Sequence, residues 1–209
     1  MSIELYVFPP SPRAFKVMAV ARHLGLDAEI RLLNLGKGEQ KTPDYVALNP
    51  NMRMPTLKDG DFVLWESNSV MRYLVLAYGQ GSSLYPQAPQ RRAGVDRWLD
   101  WTLSTVQPVD RPVFWALVRT PAEKRDMVAI QKDADAEAEV WRIADAQLET
   151  RRFIEGDDFT IADIALGAYV RRWFGVEGIR KPKLAHLERW FAQFADRPGF
   201  RQFIAPPMT

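Results

Sequence analysis

Arg53-Met54-Pro55-Thr56-Leu57-Lys58-Asp59-Gly60-Asp61-Phe62-Val63-Leu64-Trp65-Glu66-Ser67-Asn68 is the stretch on which the fold turns. It holds two short β-prone runs, near 55–58 and 61–65, joined at Asp59-Gly60, a strong two-residue hairpin signal. A proline stands directly before the first run. Ser67 opens a helix in which Val70, Leu74 and Ala77 recur at helical spacing, with Gly79 as its stop. A hairpin that feeds a helix closes a small sheet, and the residues before it supply the rest of that sheet.

Ile3, Leu5 and Val7 alternate with Glu4, Tyr6 and Phe8, the period of a strand, and Pro9-Pro10 ends it. Ser11-Pro12 is a helix start, a cap residue followed by an N1 proline. That helix runs to about Leu24, with Gly25 as its stop, and Glu29 to Leu33 reads as a second strand. Residues 34–52 are irregular apart from a short helix around Pro43–Leu48. The order βαβ, α, ββα predicts a small mixed sheet with helices on both faces. Its junctions Pro10-Ser11-Pro12, Arg53-Met54-Pro55-Thr56 and Trp65-Glu66-Ser67 are expected to meet in a polar pocket, with two helix N-termini turned toward it. Such a pocket suits a peptide-like anion.

Residues 1–79 are thus read as one α/β domain, 80–89 as a Gly/Ser/Pro-rich linker, and 90–209 as an all-helical domain. The first helix after the linker covers about 90–107 and is expected to be broken or kinked by Pro108 and Pro112. Thr120-Pro121-Ala122-Glu123 reads as a capping box, followed by a helix with Met127, Ile130, Ala134, Trp141, Ala144 and Leu148 on one stripe. A second box is Thr160-Ile161-Ala162-Asp163, with Phe159 and Ile164 placed as a hydrophobic staple. Leu184, Leu187, Trp190, Phe191 and Phe194 line a last helix that is expected to end at Arg197-Pro198.

The composition narrows the chemistry. The net charge is +2, spread as nine basic against eight acidic residues in 1–78 and nineteen against eighteen after it. Neither part is a basic platform for nucleic acid. No apolar run is long enough to span a membrane and no signal peptide precedes Ile3, so a cytoplasmic protein is expected. The chain has no cysteine, which excludes disulfides, thiolate metal sites and a cysteine nucleophile of its own. With two histidines, His23 and His186, and no carboxylate at ligand spacing, no catalytic metal is expected.

Ser11-Pro12 after strand one, Asn49-Pro50 leading to Met54-Pro55, Glu66-Ser67 after the hairpin, and Thr160-x-x-Asp163 in a helical second half make up one ordered set. In that order, over nearly the whole chain, it resembles the cytosolic glutathione transferases, and specifically the serine-type branch near the theta and related bacterial classes. The resemblance implies a thioredoxin-like N-terminal domain, a C-terminal helical bundle and a homodimer. It implies glutathione as co-substrate, its thiolate attacking a small hydrophobic electrophile. Two alternatives stand beside this: a glutathione-dependent peroxidase or lyase on the same fold, and a transferase-like binding or regulatory module with little turnover.

The same resemblance implies roles. Ser11 would donate to the glutathione sulfur, although by its position alone it reads as a helix cap. Tyr6 is the rival hydroxyl. Arg13 would approach the sulfur or the second substrate. The Met54 backbone, turned by a cis bond at Pro55, would pair with the cysteinyl amide. Glu66 and Ser67 would hold the γ-glutamyl end, and Arg53, Gln40 and Lys41 the glycyl carboxylate. Asp100 would reach the ammonium in a neighbouring subunit. Arg111, Phe114 and Trp115 would line the second-substrate pocket. Met52 departs from the pattern, standing where many members of the family have glycine.

Overall fold

The computed structural model describes residues 3–8, 11–194, 197 and 200. The reading of Pro9-Pro10 as the end of the first strand, and of Pro198 as the end of the last helix, falls outside the described residues. The chain divides into two compact units, Met1–Tyr85 and Pro86–Thr209.

In the first unit, β1 (Ile3–Val7), α1 (Pro12–His23) and β2 (Ala28–Leu32) form the βαβ opening, with β1 and β2 parallel. The short α2 (Pro43–Leu48) precedes the hairpin of β3 (Thr56–Asp59) and β4 (Phe62–Trp65), and α3 (Ser67–Tyr78) follows. The sheet order is β2-β1-β3-β4, with β3 antiparallel to β1. Strand alternation sorts the two faces. Ile3, Leu5 and Val7 are buried, and Val17 and Ala21 of α1 share the core with Val70 and Leu74 of α3. α1 and α3 pack on each other. The other face carries Tyr6, whose ring meets that of Tyr45 from α2 at 5.8 Å.

α1 ends as its sequence predicts. Gly25 takes a φ of +67°, its N–H bonds the Arg22 carbonyl and the Leu26 N–H bonds that of Ala21, the paired bonds of a Schellman motif. The hairpin differs from expectation by one residue. Asp59 pairs with Phe62, so the loop is Gly60-Asp61, with glycine at the first central position and a φ of +59°. A positive φ there alone is the pattern of a type II′ turn. Asp59 stays in the strand because its carboxylate accepts from the Tyr73 hydroxyl at 2.7 Å and from that of Tyr78, both on α3.

The second unit is helical. α4 (Pro89–Trp101) and α5 (Gln107–Phe114) lie on one uninterrupted helical path that continues to Arg119. Of the break or kink expected at the prolines, the break does not occur. Thr102–Val106 and Trp115–Arg119 are wound as π-turns, in which Gln107 N–H reaches back to Thr102 and Thr120 N–H to Trp115. A wider turn just ahead of Pro108 moves its ring away from the carbonyl four residues back, the contact that breaks an α-helix.

The capping box expected at Thr120–Glu123 is also corrected. Thr120 donates its hydroxyl to the Trp115 carbonyl, and Ala122–Lys124 form one 3₁₀ turn. The long helix α6 (Met127–Gln147) starts later, where the Asp126 carboxylate accepts from the N–H groups of Val128 and Ala129. Its stripe buries Ile130, Ala134, Ala138, Trp141 and Ala144, followed by Leu148, while Met127 is largely exposed. α7 (Ile161–Gly175) opens on the expected box: Thr160 Oγ1 accepts from Ala162 N–H and Asp163 accepts from Thr160 N–H. α8 (Ala185–Ala192) packs on α6. Trp141, Trp173 and Trp190 are among the largest side chains of this core.

Candidate functional site

A cleft in the first unit is lined by Arg13, Asn49, Asn51, Arg53, Met54, Pro55, Glu66 and Ser67. Arg13 is the second residue of α1 and Ser67 the first of α3, so the positive ends of two twelve-residue helices serve one cleft.

The wall between them is the loop before β3. Asn49 is buried and spends its side chain on that loop. Its amide donates to Arg53 O at 2.7 Å and Thr56 Oγ1 at 3.0 Å, and its carbonyl accepts from Asn51 N–H at 3.0 Å. Tyr45 adds a bond from its hydroxyl to Arg53 O at 2.6 Å. The Met54–Pro55 peptide bond is cis. Met52 adopts a φ of +53°, a backbone region that glycine takes more readily than a residue with a side chain.

At the opposite wall Glu66 has a φ of +70°, an uncommon region for a residue with a side chain. It occupies the backbone cap position of α3, and its side chain caps nothing. Ser67 follows inside the helix. It is 2 % exposed, and its Oγ has no hydrogen-bond partner. Native proteins rarely leave a buried hydroxyl so.

Ser11 is half-buried at the start of α1, and its hydroxyl caps nothing either. Its backbone is engaged, N–H to Phe8 O and carbonyl to Phe15 N–H, both at 2.9 Å. The rival hydroxyl is committed elsewhere. Tyr6 donates to Glu4 at 3.1 Å, and burial, followed by that carboxylate, raises its pKa above the ordinary phenol value.

The structure therefore brings together Arg13, Arg53, Met54, Pro55, Glu66 and Ser67 of the residues singled out in the sequence. Ser11 lies two residues before Arg13 and is not itself part of the cleft lining. Gln40 and Lys41 form a 3₁₀ turn with Glu39, outside that lining, and Gln40 Oε1 is buried without a partner. Asp100, Arg111, Phe114 and Trp115 belong to the second unit. There Asp100 is exposed on α4. Arg111 stacks over Trp115 at 5.4 Å, and Trp115 is 54 % exposed. Phe114 is buried, with the Arg172 guanidinium 3.7 Å from its ring centre.

Two residues of the lining, Asn49 and Asn51, were not named as site residues from sequence, although Asn49-Pro50 marks the loop. A third omission is Lys16 on α1, fully buried and bonded to Asn68 of α3. Its amine is held down to about 7, chiefly by burial and then by Arg13. Among the described residues no group of three His, Cys, Asp or Glu side chains is arranged to hold a metal ion. No helix among them is long and apolar enough to cross a membrane.

Comparison with known proteins agrees with this geometry. Residues 1–75 match the model of the glutathione S-transferase N-terminal domain, and residues 107–198 that of the C-terminal domain. Glutathione S-transferase GstB of Escherichia coli (strain K12) is 35 % identical over 199 residues, covering 93 % of each chain. The crystal structure of the theta class glutathione S-transferase from Xanthomonas axonopodis pv. citri with glutathione bound superposes with a TM-score of 0.93 at 38 % identity, covering 100 % of this chain and 99 % of that one. A delta-class glutathione transferase of Nilaparvata lugens gives 0.86 at 29 %, covering 96 % and 92 %. With a four-stranded thioredoxin-like unit, a helical unit and both domain models matched in order, the chain belongs to the glutathione S-transferase family.

Proposed function

We propose that the cleft binds glutathione and that the chain is a glutathione transferase, delivering the tripeptide's thiolate to a small electrophile. The observation that carries this reading is Ser67: a buried hydroxyl without a partner, at a helix N-terminus, behind a glutamate held at positive φ. A γ-glutamyl group offers both complements. Its carboxylate suits the Ser67 hydroxyl and the α3 amides, and its ammonium suits Glu66. The Met54 backbone then pairs with the cysteinyl amide like a short added strand. Arg53, with Gln40 and Lys41 nearby in sequence, serves the glycyl carboxylate. Asp100 is assigned to the ammonium bound in a second copy, and Arg111, Phe114 and Trp115 to the electrophile.

Ser11 is the proposed catalytic residue. A free thiol has a pKa of roughly 8.5, so little of it is ionised at pH 7. A hydroxyl donated to the sulfur, with the α1 N-terminus behind it, favours the anion. A lowering of about two pKa units corresponds to about 2.7 kcal/mol. The thiol proton leaves to solvent. The sulfur lone pair forms the new C–S bond, and the leaving group departs with its electron pair. Ser11 is available because its hydroxyl caps nothing, and Tyr6 is unavailable because Glu4 holds it.

The test is retention on immobilised glutathione together with turnover of chlorodinitrobenzene. Ser11→Ala is expected to lose up to about 25-fold in rate at pH 7, the fall in ionised thiol when a pKa of about 6.5 returns to about 8.5, while Tyr6→Phe stays within about twofold. The reverse ranking would overturn the assignment. The same reading makes the protein a cytoplasmic homodimer. Phe62 and Trp65 lie exposed on the edge strand β4, apolar surface that a second copy would cover. Light scattering of the full chain checks the dimer, and cell fractionation the compartment.

A further inference from the structure

Lys16 is a buried charge-bearing group for which the chemistry above has no use. It is 0 % exposed, and its one hydrogen bond among the described residues is to Asn68 Oδ1. No carboxylate pairs with it there. The charged groups that act on it are Arg13 from its own helix, Arg72 from α3, and Glu66 at the start of α3. Two of the three are cations, and the helices that carry Lys16 and Asn68 both begin at the cleft with their positive ends. Burial and this surplus of positive charge disfavour an ammonium. Glu66 alone opposes them, and the balance leaves the group close to half-protonated near neutrality.

Asn68 is the residue after Ser67. A carboxylate held by the Ser67 hydroxyl and the first α3 amides therefore arrives one residue from the group that bonds Lys16. It adds a negative charge beside a group on which two cations and one carboxylate already act. We propose that Lys16 is a positioning residue that takes up a proton when the γ-glutamyl carboxylate binds, and as an ammonium holds Asn68 and with it the first turn of α3. The proposal rests on the assignment of the cleft to glutathione. It adds a proton to the binding equilibrium: Lys16 amine, proton and tripeptide combine to give Lys16 ammonium with the carboxylate seated.

S-methylglutathione separates this proton from that of the thiol, because it has no thiol to ionise. Calorimetric titration of the full chain with S-methylglutathione at pH 7.5, in two buffers of different ionisation enthalpy, should show uptake of roughly half a proton or more per site. Lys16→Met should bind more weakly and take up less than about 0.1 proton, and Lys16→Arg, always charged, should bind without uptake. Where a variant does not fold, the wild type still decides. Its affinity should fall between pH 7 and 8.5, by at most about tenfold per pH unit. Binding whose enthalpy does not depend on the buffer and whose affinity is flat over that range overturns the proposal and leaves the glutathione site standing. Failure to bind at millimolar ligand overturns both.

Discussion

At the start of α7 the polar groups have partners, whereas at the start of α3 a buried hydroxyl has none. Thr160 and Asp163 close a reciprocal box. Beyond it, the Asp163 carboxylate also accepts from Ile154 N–H at 2.9 Å and from the Trp190 indole at 2.8 Å. That corner is locked from within, and nothing is left over for a ligand. At α3, Glu66 stands at the cap position without capping, its backbone at positive φ, and Ser67 Oγ faces no partner. Both are N-termini with orphan amides. The difference is that α7 commits a threonine and an aspartate to its own start, whereas at α3 the Glu66 side chain caps nothing and the Ser67 hydroxyl has no partner. A helix start that serves the fold and one that serves a ligand can thus be told apart by what their hydroxyls do.

The largest test of this contrast is Asp163→Ala. It leaves two backbone N–H groups and an indole N–H unpaired in the core. Denaturant unfolding should show a loss of about 3 kcal/mol or more, with the rate per folded molecule unchanged.

A second buried carboxylate sharpens it. Glu137 is 2 % exposed and accepts from one side-chain donor, the Trp141 indole at 3.0 Å. Burial, and then the nearby Asp110, raises its pKa to about 8. Between its ordinary value of 4.5 and about 8 the folded chain holds a proton there that the unfolded chain has released. Its contribution is thus fully present below pH 4.5, shrinks as pH rises to 8 and is level above. The slope is at most about 1.4 kcal/mol per pH unit. Glu137→Gln should remove that component, so the difference between variant and wild-type stability should grow in the variant's favour from pH 5 to 8. A constant difference would mean that Glu137 is ionised throughout.

Two smaller changes address the helix starts directly. Thr160→Ala should cost on the order of 1 kcal/mol. Ser67→Ala should leave stability unchanged or slightly higher and weaken glutathione binding about tenfold or more, read by calorimetry. If Ser67→Ala costs as much as Thr160→Ala, the contrast fails. Smallest is Met52→Gly, which relieves a side chain at φ +53° and should add up to about 1 kcal/mol on unfolding.

The order of elements was legible because each boundary carries its own local chemistry: Ser11-Pro12, Gly25, Gly60, Thr160-x-x-Asp163. The misreadings arose where two local signals compete. Thr120-Pro121 and Asp126 both announce a helix six residues apart, and the carboxylate at 126 is the one that reaches the amides. Asp59-Gly60 looks like the loop, but Asp59 is drawn into the strand by tyrosines fourteen and nineteen residues on. In the site, Arg53, Met54, Pro55, Glu66 and Ser67 were legible as a set through the family's order of motifs. Lys16 was not. All residues from Ala14 to Ala21 are buried, so α1 has no solvent face along that span, and no periodicity distinguishes a buried lysine from an exposed one.

The π-turn at Thr102–Val106 holds one residue more than the ordinary winding would. Excising the exposed Ser104 would pull the segment back toward plain α-helix and press the Pro108 ring onto the carbonyl four residues before it. The extra residue is thus clearance for a ring: a one-codon deletion there should break the helix at Pro108, where the same deletion in a proline-free stretch of π-winding would merely tighten it.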